Sequence, residues 1–112
     1  MSDQSTKISA TELISLIGTE QAPMIFDVRK EPAYLESTQI LPTARWNNHE
    51  TIASDLDITI GTRIVVYCVH GHEVSQTAAR LLRETGHNVQ YLEGGFEGYV
   101  EAGGPTSPRG EA

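Results

Sequence analysis

The chain is short of cysteine, of basic residues and of long apolar runs. It holds a single cysteine, Cys68, in 112 residues. No disulfide can close within it, so the fold does not depend on an oxidising compartment. Lysine and arginine number 8 against 15 aspartates and glutamates, a formal net charge of −7. That balance argues against nucleic acid or an anionic membrane as the main partner. It is also poorly suited to drawing anionic substrates from a distance. No segment approaches transmembrane length, and the opening MSDQSTK lacks the apolar core of a signal peptide. A cytoplasmic location is expected. The length suffices for one hydrophobic core and not for two.

What is present is organised around residues 63–86. Ile64-Val65-Val66-Tyr67 is a continuous apolar, β-branched run, which suits a buried parallel strand. Residues 68–74 form a loop containing Gly71, and residues 75–85 read as a helix with Ser75 as its cap and Gly86 at its end. Upstream, Ser9 followed three later by Glu12 is a capping box opening a helix that should stop at Gly18. Met24-Ile25-Phe26-Asp27-Val28 is a second buried strand, and its Asp27 must find donors. A short helix with Pro32 in its first turn follows, then a strand near Trp46 and a helix over 52–56 capped by Asn47 or Asn48. Asn88-Val89-Gln90-Tyr91-Leu92 is the last strand, and Phe96, Tyr99 and Val100 share one face of a final helix. Residues 1–103 form the domain. Residues 104–112, with two prolines and two glycines, are expected to be a flexible tail. Short apolar strands alternating with helices indicate an α/β layered domain with a mainly parallel sheet. Sites in such sheets lie outside the carboxyl ends of the strands, which is where Cys68 falls.

A cysteine after an apolar strand is often inert packing. Three features point the other way. The residues after Cys68 are polar and include glycine, which suits a cradle of backbone N–H groups around an anion. The helix that follows aims its positive end at the loop. His70 and His72 offer positive charge or protons near neutral pH. Together these favour a stabilised, nucleophilic thiolate. Cys68, His70 and His72 are also metal-ligand types, but a closed zinc site needs four ligands and no second Cys/His pair stands at typical spacing. No metal and no cofactor are expected, and His87 reads as a solvated loop residue.

These residues resemble the single-domain rhodanese-like family. Asp27-Val28-Arg29 with Glu31-Pro32 and Tyr34 is similar to its DVR-x-x-x-E-Y stretch, and Ile40-Leu41-Pro42-Thr43-Ala44 to its H-I-P-G-A segment, with Gln39 where histidine is usual. Ile64-Val65-Val66-Tyr67-Cys68 matches the strand delivering the catalytic cysteine. Ser75-Gln76-Thr77-Ala78-Ala79 with Leu81-Leu82, and Leu92-Glu93-Gly94-Gly95-Phe96 with Tyr99, resemble the family's following helix and closing turn. The resemblance implies a five-stranded, mainly parallel sheet flanked by helices on both faces. It implies no cofactor and a sulfurtransferase in which Cys68 carries a sulfane sulfur as a persulfide, from thiosulfate or another persulfide to a thiol acceptor. Partners would be a small sulfur compound and a thiol, or a persulfide on another protein. Val69, His70, Gly71, His72, Glu73 and Val74 would form the substrate-binding loop, with Asp27, Arg29 and Ser75 in support.

The loop departs from the family pattern C-R-S-G-x-R. It runs for seven residues, Cys68-Val69-His70-Gly71-His72-Glu73-Val74, and carries no arginine. Seven is the loop length of the related Cdc25-type phosphatases and arsenate reductases, whose final arginine corresponds to Val74. The alternatives are therefore a phosphatase or oxyanion reductase, and a non-catalytic domain that binds or senses through this loop. Glu73 opposes anion binding, so weak activity on thiosulfate is expected.

Overall fold

The computed structural model describes residues 6–109. The apolar run before Cys68 forms β5 (Arg63–Tyr67), the middle strand of a five-stranded sheet ordered β1-β6-β5-β2-β4. The others are β1 (Lys7–Ile8), β2 (Met24–Asp27), β4 (Arg45–Trp46) and β6 (Asn88–Leu92), and every pairing is parallel. Parallel strands need crossovers, and helices α1 (Ala10–Leu16), α2 (Glu31–Glu36), α3 (Ile52–Asp55), α4 (Glu73–Glu84) and α5 (Gly95–Glu101) lie in the connections and after β6.

The period-two alternation of the strands sorts the core into two layers. Ile25, Val65, Tyr67 and Leu92 point to one face and pack with Leu13 of α1 and Tyr99 of α5. Phe26, Ile64, Val66 and Val89 point to the other and pack with Ile52 of α3 and Ala78, Ala79 and Leu82 of α4. This is the α/β sheet with helices on both faces that the sequence implies. Ser9 caps α1 by accepting from the Glu12 N–H at 3.0 Å, and Pro32 sits in the first turn of α2.

Four details differ from expectation. Helix α4 begins at Glu73, so Ser75 is an interior residue and His72 holds the cap position without a side-chain bond. Gly71, with φ +78°, turns the chain early, and Glu73 suits the positive helix end; the Ser75 hydroxyl is thereby freed to face inward. Thr51, not Asn47 or Asn48, precedes α3, and the Asn48 side chain instead accepts from the Glu50 N–H at 2.7 Å. His87 is buried, because Gly86 at φ +95° reverses the chain after α4 and the His87 N–H returns to the Leu82 carbonyl.

The fourth concerns the expected flexible tail. Gly104 lies flat on the Tyr99 ring, where a Cβ would come within 2.4 Å of ring carbon. The Tyr99 hydroxyl then donates to the Pro105 carbonyl at 2.6 Å. Ser107–Pro108 forms β7, which pairs antiparallel with β3 (Gln39–Ile40). Arg109 closes the strap: its backbone N–H donates to Thr38 and its Nε to the Ser37 carbonyl, each at 2.8 Å. Polar, proline-rich composition signals looseness only when such partners are missing. Residues 110–112 of the expected tail lie outside the described residues.

Candidate active site

The alternation along β5 decides which way Cys68 faces. Ile64 and Val66 point toward α4, so Cys68, two further on, does too. Its side chain is 5% exposed, and its Sγ lies 3.2 Å from the Ser75 Oγ in the first turn of α4. The thiol donates to that hydroxyl; as a thiolate the sulfur would instead accept from it. Ser75 is itself wholly buried.

The loop after Cys68 is held from the side of α5. The Phe96 N–H donates to the Cys68 carbonyl at 2.8 Å and the Glu97 N–H to the Val69 carbonyl at 3.1 Å. No peptide here is cis. In a trans unit the N–H points opposite the carbonyl, so the N–H groups of Val69 and His70 face away from α5. Gln76 Nε2, on α4, holds the Gly71 carbonyl at 3.2 Å. Among the described residues, no N–H of residues 69–75 donates to a protein atom. Residues 69–75, which follow Cys68 directly, thus carry seven consecutive N–H groups without a protein acceptor, a donor set that suits an anion.

Two glycines make the loop's position achievable. A Cβ on Gly71 would stand 2.7 Å from the Gly94 nitrogen, and one on Gly95 would stand 2.5 Å from the Gly71 nitrogen. Both have positive φ. The loop and the turn before α5 therefore touch backbone to backbone.

On the opposite side of β5 lies a buried polar network. Asp27 and Tyr67 are register partners on β2 and β5, so both point to the α1–α5 face. Asp27, fully buried, accepts from Arg29 Nη2 at 2.6 Å, from Arg29 Nε and the Arg29 N–H at 3.0 Å, and from the Tyr67 hydroxyl at 3.0 Å. Arg29 also donates to the Gln39 carbonyl at 3.0 Å, and its guanidinium lies 4.6 Å from the Phe96 ring centroid. The Leu41 N–H donates to the Tyr67 oxygen at 3.2 Å. Burial, with the Asp27 carboxylate beside it, holds the Tyr67 hydroxyl far above the usual tyrosine range.

A cavity of about 290 Å³ opens beside Cys68. Val69, His70, His72, Glu73 and Val74 line it from the loop and α4, and Arg29, Lys30 and Ala33 from the start of α2. His70 Nδ1 pairs outward with Glu97 Oε1 at 3.4 Å, both side chains being more than half exposed. His72 and Glu73 are exposed too, and Ser75 is the hydrogen-bond partner of the sulfur. Glu73 and Val74, expected in the loop, are the first residues of α4. The loop residues, Cys68 and Arg29 thus meet at one cavity, while Asp27 sits behind Arg29. In the sequence Tyr67 reads only as the last residue of an apolar run, although its place just before Cys68 marks it. Phe96 reads as a helix-face residue; nothing local in sequence marks it as the donor to the Cys68 carbonyl.

The chain's similarities agree with this geometry. A family model for the rhodanese-like domain matches residues 9–102. The thiosulfate sulfurtransferase GlpE of Pseudomonas syringae pv. syringae (strain B728a) is 31% identical over 78 residues, covering 70% of this chain and 73% of the relative. Among solved structures, a rhodanese-related protein from Thermoplasma volcanium superposes with a TM-score of 0.76 at 22% identity, covering 91% of this chain and 97% of its own. The Alr3790 protein of Anabaena sp. gives 0.77 at 29% identity, with 89% and 81% covered. A Rhodopseudomonas palustris CGA009 protein described as a possible tyrosine phosphatase gives 0.77 at 23% identity, with 91% and 84% covered.

Proposed function

The chain belongs to the rhodanese-like domain family, and we propose that it is a sulfurtransferase that carries a sulfane sulfur on Cys68. The observation that carries this reading is the buried sulfur of Cys68, bonded to Ser75 and followed directly in the chain by the N–H groups of residues 69–75, which have no protein acceptor. The thiolate attacks the sulfane sulfur of a donor, and the donor's S–S bond breaks with its electron pair leaving on sulfite or a thiolate. Cys68 then holds a persulfide, whose terminal sulfur is an anion. An acceptor thiolate attacks that terminal sulfur, takes it as its own persulfide and restores the Cys68 thiolate. This is covalent catalysis split into two displacements. The N–H cradle supports negative charge at each stage, and the Ser75 hydroxyl adds one donor at 3.2 Å. Asp27 and Arg29 have a bracing role: the bidentate pair fixes one wall of the cavity and takes no part in bond making.

The competing reading is a phosphatase or oxyanion reductase. A transferring phosphoryl or arsenate group presents several oxygens and calls for a fork of donors. Val74 stands where that fork would be, and the guanidinium at the cavity, Arg29, is tied to Asp27. Steady-state kinetics with a sulfane donor and a thiol acceptor test the proposal. Parallel double-reciprocal lines are expected, with turnover abolished in Cys68→Ser. Aryl phosphate turnover lost in Cys68→Ser, without sulfur transfer, would replace it with the phosphatase reading. A chain with neither activity would be a non-catalytic binding domain.

A further inference from the structure

The wall of the Cys68 cavity carries more aliphatic surface and less positive charge than an inorganic dianion needs. Val69, Val74 and Ala33, all partly buried, line it on two sides. The cations are Arg29 and Lys30. Arg29 is neutralised by the buried Asp27 at 2.6 Å. Lys30 is exposed, and Glu73, also exposed, lines the same cavity from the start of α4. His70, also lining the cavity, has its Nδ1 3.4 Å from the Glu97 carboxylate, which is thereby occupied outside the cavity wall. The formal charge along this wall is close to balanced, on a chain of net −7. A dianion entering here would leave its hydration for the N–H donors alone, with no free buried cation to meet its second charge. A monoanion with an apolar body would place its charge in the cradle and its body against Val69, Val74 and Ala33.

We infer that, within the sulfurtransferase reading on which this rests, the site is selective for organic sulfane-sulfur donors that are monoanions with an apolar group beside the sulfur. The inorganic dianion thiosulfate is the disfavoured donor. A thiosulfonate, R–SO₂–S⁻, has this chemistry. The Cys68 thiolate attacks its terminal sulfur, the S–S bond breaks, the pair leaves on the sulfinate R–SO₂⁻, and Cys68 retains the sulfur as a persulfide anion. Charge and atoms balance without an oxidant or reductant. The cavity, about 290 Å³, is roughly ten times the liquid volume of one water, enough for an aromatic ring.

Benzenethiosulfonate and thiosulfate serve as the two probes, in single-turnover sulfur uptake by the whole chain followed by intact mass. Uptake from benzenethiosulfonate is expected to be on the order of tenfold faster or more, the yield of half-burying a ring on an aliphatic wall. Val69→Ser should lower the thiosulfonate rate several-fold more than it lowers the thiosulfate rate. Glu73→Gln should raise the thiosulfate rate more than the thiosulfonate rate. Equal rates, or faster uptake from thiosulfate, would overturn the selectivity while leaving sulfur transfer intact. Uptake from neither donor would overturn the sulfurtransferase reading and the selectivity with it.

Discussion

The Ser75 hydroxyl lies 3.2 Å from the Cys68 sulfur, with both side chains out of solvent. Strand alternation delivers one and the early start of α4 the other. A hydrogen bond to a charged group contributes about 1.5–3 kcal/mol. Ser75→Ala should therefore slow sulfur uptake by roughly tenfold to a hundredfold, with the fold kept because alanine is a good helix former. Ser75→Cys or Ser75→Thr should recover part of the rate. Unchanged single-turnover kinetics in Ser75→Ala would show that the hydroxyl does not serve the thiolate.

The Asp27–Arg29 pair is buried on both sides, at 0% and 3% exposure. Removing one partner leaves an uncompensated charge, at a cost of about 3–5 kcal/mol. Asp27→Asn and Arg29→Met should each lower the urea midpoint strongly, and the double variant should lose less than the sum. Additive losses would mean that the two side chains are not coupled.

Gly71 and Gly18 both have positive φ but differ in their surroundings. Gly18 has nothing within 4 Å of a built Cβ, whereas Gly71 meets three backbone atoms below 3.0 Å. Gly18→Ala should cost only the left-handed strain of ~1–2 kcal/mol. Gly71→Ala should cost clearly more and displace the loop from α5, so activity should fall even under conditions where the variant stays folded. Urea titration of both, with sulfur uptake measured below the transition, checks this.

Tyr99 is buried, and burial pushes its hydroxyl up to about 12 from the usual 10.0. The folded state therefore holds the proton where the unfolded chain would release it. Stability from this group is fully present below pH 10 and falls as pH rises from there toward about 12. Tyr67 adds a fall in the same direction from burial and the Asp27 carboxylate. Tyr99→Phe should flatten part of the alkaline slope in thermal unfolding, while losing the hydrogen bond to Pro105. An identical slope in the variant would contradict this.

The β5 run, the Asp27 that had to find donors, the Ser9 cap and the thiol at a strand end were all legible, because each is set by neighbours close in sequence. What was not legible depends on distant partners. Ser75 looks like a helix cap until Gly71 turns the chain two residues sooner. Residues 104–109 look loose until Arg109 meets the Ser37 carbonyl and the Tyr34 ring, 4.9 Å away. His87 looks solvated until Gly86 turns it inward. Composition describes a segment's average behaviour, and one specific contact is enough to override it.

The most direct measurement is the intact mass of the chain after incubation with a sulfane donor. Cys68 is the only cysteine, so the site of any persulfide is unambiguous. The account predicts a gain of one sulfur atom, removed by a reducing thiol and absent from Cys68→Ser. An unchanged mass with thiosulfate, benzenethiosulfonate and polysulfide alike would contradict it.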